Sequence, residues 1–213
     1  GRKFFYRDKQ FFLPKSILVV GGNAGAGART VAKMLARYMA RTYTLRVLLI
    51  DAHLAAFTRT KAPDQERDQD EAVTVLIEAD IADPCETTLS DWLLDRRLAP
   101  DPAKPGEVRT LGAGPGGTVP RGAMLRLVQE DLSSLGDFDT IIFDAPPLIA
   151  DSVTHHLASL AEATIPVVRL EHTRKGVLQS MNDDLTMSGA SVMGVVCNRR
   201  RFYIPQWIYK RLS

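Results

Sequence analysis

Apolar runs of strand length alternate with helical patterns along most of the chain. Residues 16–20 form a short continuous apolar run that leads into glycines. Over residues 28–43, Val31, Leu35, Tyr38 and Met39 recur at helical spacing. Residues 46–50 are a second buried strand, ending at Asp51, and residues 140–143 a third, ending at Asp144. Residues 73–78 and 108–111 read as further strands, the latter opening into a glycine-rich stretch at 112–117. The last two strands are expected at 165–170 and 192–197, with a helix over 173–188 between them. Residues 87–96 and 121–135 read as helices. The segment 61–71, with seven charged residues, and the Pro- and Gly-bearing 101–106 read as loops.

Strands without polar alternation are buried on both faces. Strands separated by helices imply right-handed βαβ crossovers. The pattern therefore predicts an α/β fold: a doubly wound, mostly parallel sheet of about six or seven strands flanked by helices. No internal repeat is visible. In such sheets ligands sit at the carboxyl ends of the strands. Chemistry is expected at residues 21–30, 51–53, 144–147 and at Asn198.

Length and composition fit one such domain. The 213 residues are 45% hydrophobic and 24% charged, which excludes disorder and collagen-like repeats. Cys85 and Cys197 form neither a disulfide framework nor a metal-ligand spacing, which points to a reducing cytosol. Cys197, in an apolar strand, is expected to be inert core. No apolar run reaches the ~20 residues of a membrane span. The first residue is Gly1 rather than Met, as in a chain processed, tagged or cut from a longer one that carries a membrane anchor.

The net charge of +2 hides an uneven distribution. Residues 1–15 sum to +4 and residues 199–213 to +5, while residues 16–198 hold 17 cations and 24 anions. Nine of the fifteen aromatic residues also lie in the two ends. The expectation is one domain over residues 1–213 with basic, aromatic N- and C-terminal tails. Such ends on an acidic body suit an acidic partner or an anionic membrane surface. Packing of the ends back onto the domain is the competing reading.

The turn from Gly21 to Thr30 carries the first candidate chemistry. A glycine-rich connection between a first strand and a first helix aims backbone N–H groups at a phosphate. Gly22 and Gly27 have the spacing of the P-loop GxxxxGK[ST], with Gly25 between them. The Lys of a working loop meets the β- and γ-phosphates and the Ser or Thr hydroxyl holds Mg²⁺. Ala28 and Arg29 stand at those positions. Thr30 is turned about 100° away along the helix. A one-residue bulge would instead let Arg29 stand for the Lys and Thr30 for the hydroxyl. A bare glycine turn without any ligand is the third reading.

Asp51 and Asp144 each end a buried strand, in the chain order of acids that organise Mg²⁺ or water beside a P-loop. His155 and His156 are adjacent on a helix and point in two directions, so helix packing or surface is their expected role.

These motifs resemble the cytoplasmic ATPase domain of bacterial tyrosine kinases, the capsule and exopolysaccharide autokinases related to the MinD/ParA ATPases. The resemblance covers residues 16–198. It is carried by the run FDTIIFDAPP at 138–147, by Val167-Val168-Arg169 followed by Thr173-Arg174-Lys175-Gly176, and by Gly194-Val195-Val196-Cys197-Asn198. It implies nucleotide binding by Gly22, Gly25, Gly27, Ala28, Arg29, Thr30 and Asn198, with ATP or ADP and Mg²⁺ as cofactors. It makes Asp51 the first acid of a DxD motif and Asp144 the Walker B acid, the metal-binding and catalytic carboxylates. It makes Tyr203 and Tyr209 the phosphoacceptors. Departures accompany each match: Ala28 for Lys, Arg29 for Ser, His53 for the second acid, and two separated tyrosines in place of a tyrosine cluster.

The resemblance implies a pseudokinase-like regulatory or binding partner of a membrane polysaccharide co-polymerase (chain-length protein) in exopolysaccharide biosynthesis. It also implies a cytoplasmic place, peripheral to the inner membrane or as part of a longer membrane protein, a homo-oligomer, and no nucleic-acid partner. Two other readings stand beside it. One is an active autokinase or ATPase using Arg29, Thr30, Asp51 and Asp144. The other is a MinD-like positioning ATPase.

Overall fold

A computed structural model describes residues 13–53, 102–112, 137–150, 152–170 and 172–198, the backbone of 6–7 and 10–11, and the single residues 85, 89, 92, 100 and 135. Eight strands and three α-helices lie in this part. A two-stranded antiparallel ribbon comes first, β1 (Tyr6–Arg7) and β2 (Gln10–Phe11). Then follow β3 (Ser16–Gly21), α1 (Ala28–Tyr43), β4 (Val47–Asp51), β5 (Val108–Leu111), β6 (Thr140–Ala145), α2 (Ser152–Leu160), β7 (Ala163–Arg169), α3 (Lys175–Met187) and β8 (Val196–Asn198).

Strands β3 to β8 form one six-stranded sheet in the order β5-β4-β6-β3-β7-β8, parallel throughout. This is the doubly wound α/β fold that the alternation predicts. The central strands are buried along their whole length, which is why their sequences lack polar alternation. One face of the sheet packs Ile17, Val19, Leu49, Ile142 and Ile165 against Ala32, Ala36, Met39 and Ala40 of α1. The three alanines are short, so α1 lies close on the sheet. The other face packs Leu18, Leu48, Ile50, Ile141 and Phe143 against Val153 and Leu157 of α2 and Met181 and Leu185 of α3.

Strand bounds agree with the sequence reading to within two residues for β3 to β7. The last strand is shorter than expected. Val192 makes a single bridge to Thr164, and the ladder proper covers Val196–Asn198 only. Cys197 is exposed rather than buried, which corrects its assignment to the core. Its neighbours Val196 and Asn198 turn the other way, as the period of two requires. The strand expected at 73–78 lies outside the described residues, as does the helix expected at 121–135 except for Leu135, which is buried and stands in a turn. Of the helix expected at 87–96, Leu89 and Trp92 are described, both helical and buried.

The register places the candidate chemistry. β4 and β6 are neighbours, and Asp51 pairs with Asp144 across them. β3 lies on the other side of β6, so the glycine turn that follows it opens beside both acids. The helices leave in opposite directions, α1 to one face and α2 to the other. The crevice between these connections is the position at which open α/β sheets take ligands.

Candidate functional site

The glycine turn is built by backbone conformation. Gly25 and Gly27 have φ of 76° and 88°, the left-handed region that side chains resist. Gly27 is the N-cap of α1. A Cβ on Gly27 would also collide with the Asn198 amide nitrogen, whereas at Gly25 it would meet open space. Two glycines are thus required for one shared reason, and Gly27 for a second.

The turn is tied to the sheet by its own atoms. The Gly22 N–H donates to the Val167 carbonyl at 2.9 Å. The Asn198 amide donates to the Ala26 carbonyl at 2.9 Å. The Thr173 hydroxyl donates to Asn23 Oδ1 at 3.2 Å and accepts from the Arg169 N–H at 3.0 Å. Asn198 reaches the loop backbone itself. The parts of Asn23 and Thr173 carry no signal in the sequence, because β7 and the turn are more than a hundred residues apart.

Arg29 is the centre of the site. It is the second residue of α1, and its side chain crosses to the ends of β4 and β6. Nη2 donates to Asp51 Oδ2 at 2.7 Å and Nε to Asp144 Oδ2 at 3.0 Å. His53 completes the cluster: Nδ1 and the backbone N–H meet Asp51 Oδ1 at 2.8 and 3.1 Å. The backbone bond is the two-residue return that an aspartate at a strand end favours. His53 Nδ1 lies 3.6 Å from Asp144 Oδ2 and 3.4 Å from Arg29 Nη2. The side chain of Ala28, beside Arg29, offers no polar atom, and Thr30 is half-buried in the same turn.

Burial separates the two acids. Asp144 is 3% exposed, and its Oδ1 is buried without a hydrogen bond. Burial pushes its carboxyl above the ordinary 3.8, and the charges of His53 and Arg29 only partly offset this. Asp51 is also held back by burial, but the His53 hydrogen bond and the charges of Arg29 and His53 outweigh it and lower its carboxyl. Burial acts against the Arg29 cation too, and the two aspartates overcome it.

Donor atoms of Asp51, His53 and Asp144 lie within 4.8 Å of one another, a spacing that a metal ion can bridge. The set does not fit Mg²⁺ as a P-loop holds it. Position 29 has no hydroxyl, His53 supplies nitrogen where Mg²⁺ prefers oxygen, and the guanidinium already bridges both acids. Tyr203 and Tyr209, the expected phosphoacceptors, lie outside the described residues. His155 packs on Ser188 at 3.0 Å while His156 faces solvent, the divergence expected of adjacent helical positions.

No protein-family model matches the sequence, and no curated protein matches it. Solved structures do. The VpsO kinase domain superposes with a TM-score of 0.62 at 21% identity, covering 88% of this chain and 86% of that one. The kinase domain of the Escherichia coli tyrosine kinase ETK gives 0.60 at 18%, covering 90% and 71%. The MinD cell division protein of Aquifex aeolicus gives 0.51 at 19%, covering 92% and 72%. The chain has the P-loop NTPase fold that tyrosine-kinase domains and MinD share.

Two predictions follow from the charge cluster. Asp51 has a lowered folded value, so its contribution is present above the ordinary carboxylate range and is lost as pH falls through that lowered value. Asp144 has a raised value, so stability declines as pH rises from 3.8 through it. Urea unfolding across acid to neutral pH should therefore show Asp51→Asn flattening the acid limb and Asp144→Asn flattening the opposite one. Like effects from both substitutions would contradict the arrangement. Secondly, Arg29→Ala leaves two facing carboxylates without their cation. Because the Arg29 side chain is 44% exposed, the cost should be only ~1–2 kcal/mol. The variant should gain a Mn²⁺-dependent rise in melting temperature of ~3 °C or more that the parent lacks.

Proposed function

We propose that the chain is a catalytically degenerate, tyrosine-kinase-like P-loop domain that works as a binding or regulatory module rather than as a phosphoryl-transfer enzyme. The observation that carries this reading is the Arg29 bridge to Asp51 and Asp144. Phosphoryl transfer depends on a cation between the nucleotide phosphates and these acids, and on a Lys and a hydroxyl in the loop. Here a side chain of the protein supplies the positive charge to the acids. The loop at 28 and 29 offers neither Lys nor hydroxyl. Contacts of this kind act as a unit, so their joint loss removes far more than one step of rate.

The turn held by Val167, Thr173 and Asn198 supports a role in which the fold stays in one state without ligand. The family resemblance and the tyrosine-kinase-domain neighbours support a place in exopolysaccharide or capsule export, with a membrane co-polymerase as partner and the cytoplasmic side of the membrane as location. Among the described residues no helix is long and apolar enough to cross a membrane. The basic, aromatic ends would then provide the contact with that partner or with anionic lipid.

Turnover of Mg·ATP by the purified protein should stay at background. Replacing both positions, Ala28→Lys with Arg29→Ser, should raise Mg·ATP affinity ~10-fold or more by calorimetry. ATP hydrolysis by the parent that disappears in Asp144→Ala would overturn the degenerate reading and favour an active ATPase.

Trimming the chain after Phe202 removes Trp207, Tyr209, Lys210 and Arg211. The melting temperature should hold within ~2 °C while sedimentation with phosphatidylserine vesicles is lost. A trimmed protein that unfolds, or that binds as before, would assign the tail to packing instead.

A further inference from the structure

The outward face of α1 carries two neighbouring ridges that neither the core nor the site uses. Met34, Tyr38 and Thr42 recur every fourth residue and form one ridge, and Arg37 and Arg41 form the next. Met34 is 53% and Tyr38 43% exposed, and Arg41 and Thr42 also face outward. The Tyr38 ring stands edge-on to Tyr43, with centroids 6.0 Å apart at 87°, which fixes it as a wall. These five ridge residues line a depression of about 330 Å³. One of its walls is mainly apolar and the other cationic, and α1 itself contains no acid.

We propose that this groove receives an acidic amphipathic helix of a different protein. The shape of the occupant follows from the groove: a channel between two rows of fourth residues takes the ridge of another helix, crossing at about −50°. Its chemistry follows from the two walls. Apolar residues one turn apart would sit on Met34 and Tyr38, and Asp or Glu on the adjoining row would meet Arg37 and Arg41. Arg29 heads the same cationic row but is engaged by Asp51 and Asp144. A bilayer presents a flat anionic surface and leaves a concave groove unfilled. A second copy of the chain offers no matching ridge among the described helices. α2 contains no acid, and its Val153, Leu157 and Ala158 are buried. α3 exposes Val177 and Met187, which stand ten residues apart instead of one turn. Two α1 faces would set cationic rows against each other. Arg41 lies about 18 Å along the helix from Arg29, so the groove can be filled whatever the glycine turn holds. One helix pair buries less than the ~1,200 Å² of a standard interface, so the contact is weak and salt-sensitive.

Fluorescence anisotropy with the full chain and two labelled helical peptides of ~20 residues tests this. Both peptides carry leucine at every fourth position, and the adjoining row is Glu in one and Lys in the other. At low salt the Glu peptide should bind ~10-fold or more tightly than the Lys peptide. Arg41→Glu should weaken the Glu peptide ~10-fold and bring the Lys peptide to within ~3-fold of the affinity that the parent shows for the Glu peptide. Met34→Gln should weaken the Glu peptide without moving the melting temperature. The charge reversal Lys175→Glu, on α3 across the sheet, should change neither affinity. Binding of neither peptide, equal binding of both, or Arg41→Glu without effect would each overturn the proposal. Displacement of the Glu peptide by phosphatidylserine vesicles would overturn it in favour of lipid. A sedimenting mass that rises with concentration in the parent but not in Arg41→Glu would overturn it in favour of a second copy. None of these outcomes bears on ATP turnover, so this proposal and the functional one fail separately.

Discussion

Two carboxylates brought side by side, one of them buried, need a cation between them. Asp51 and Asp144 are register partners on neighbouring parallel strands, so the sheet forces them together. At that spacing and burial two bare carboxylates repel strongly. Arg29 supplies the counter-charge from the start of α1, reaching one acid through Nη2 and the other through Nε. Arginine suits this task because its planar fork donates in two directions and does not lose its proton. Glycine turn, strand ends and first helix are coupled through this one side chain.

The same contact shapes what the site can do. A divalent ion with a nucleotide would be an exchangeable cation, so occupancy could report nucleotide state. A guanidinium on a helix is permanent. The glycine turn is also held by partners within the chain, through Asn198, Thr173 and the β7 backbone. Both features favour one conformation over a pair of ligand-dependent ones. A population shift needs a ligand that prefers one of two states. On the proposed reading, acids bridged by Arg29 and a loop tied down within the chain give a nucleotide little preference to exploit.

The large-scale architecture was legible because it depends on a strong, local signal. Buried parallel strands read as unbroken apolar runs, and 16–20, 46–50 and 140–143 became β3, β4 and β6 with shifts of one or two residues. The flank was less legible. β8 has the apolar character of a buried strand, yet among the described residues it pairs with β7 alone, and Cys197 turns to solvent. An apolar run shows that a strand can be buried on both faces; it does not show how much sheet lies beside it.

At the site, residue identity and spacing named Gly22, Gly25, Gly27, Asp51, Asp144 and Asn198, and marked positions 28, 29 and 53 as departures. Gly25 and Gly27 follow from glycine's freedom at positive φ and Asp51 and Asp144 from an acid at the end of a buried run, while Gly22 follows from motif spacing and Asn198 from the resemblance. The direction taken by Arg29 was not readable. Along the chain it stands at a phosphate-facing position, and only the pairing of β4 with β6 shows that two acids compete for it. The same holds for His53 on Asp51, Thr173 on Asn23 and Asn198 on Ala26. Sequence determined which groups were present and which elements carried them. Tertiary structure decided which groups met, because burial and strand register set the distances on which every charge and hydrogen bond depends.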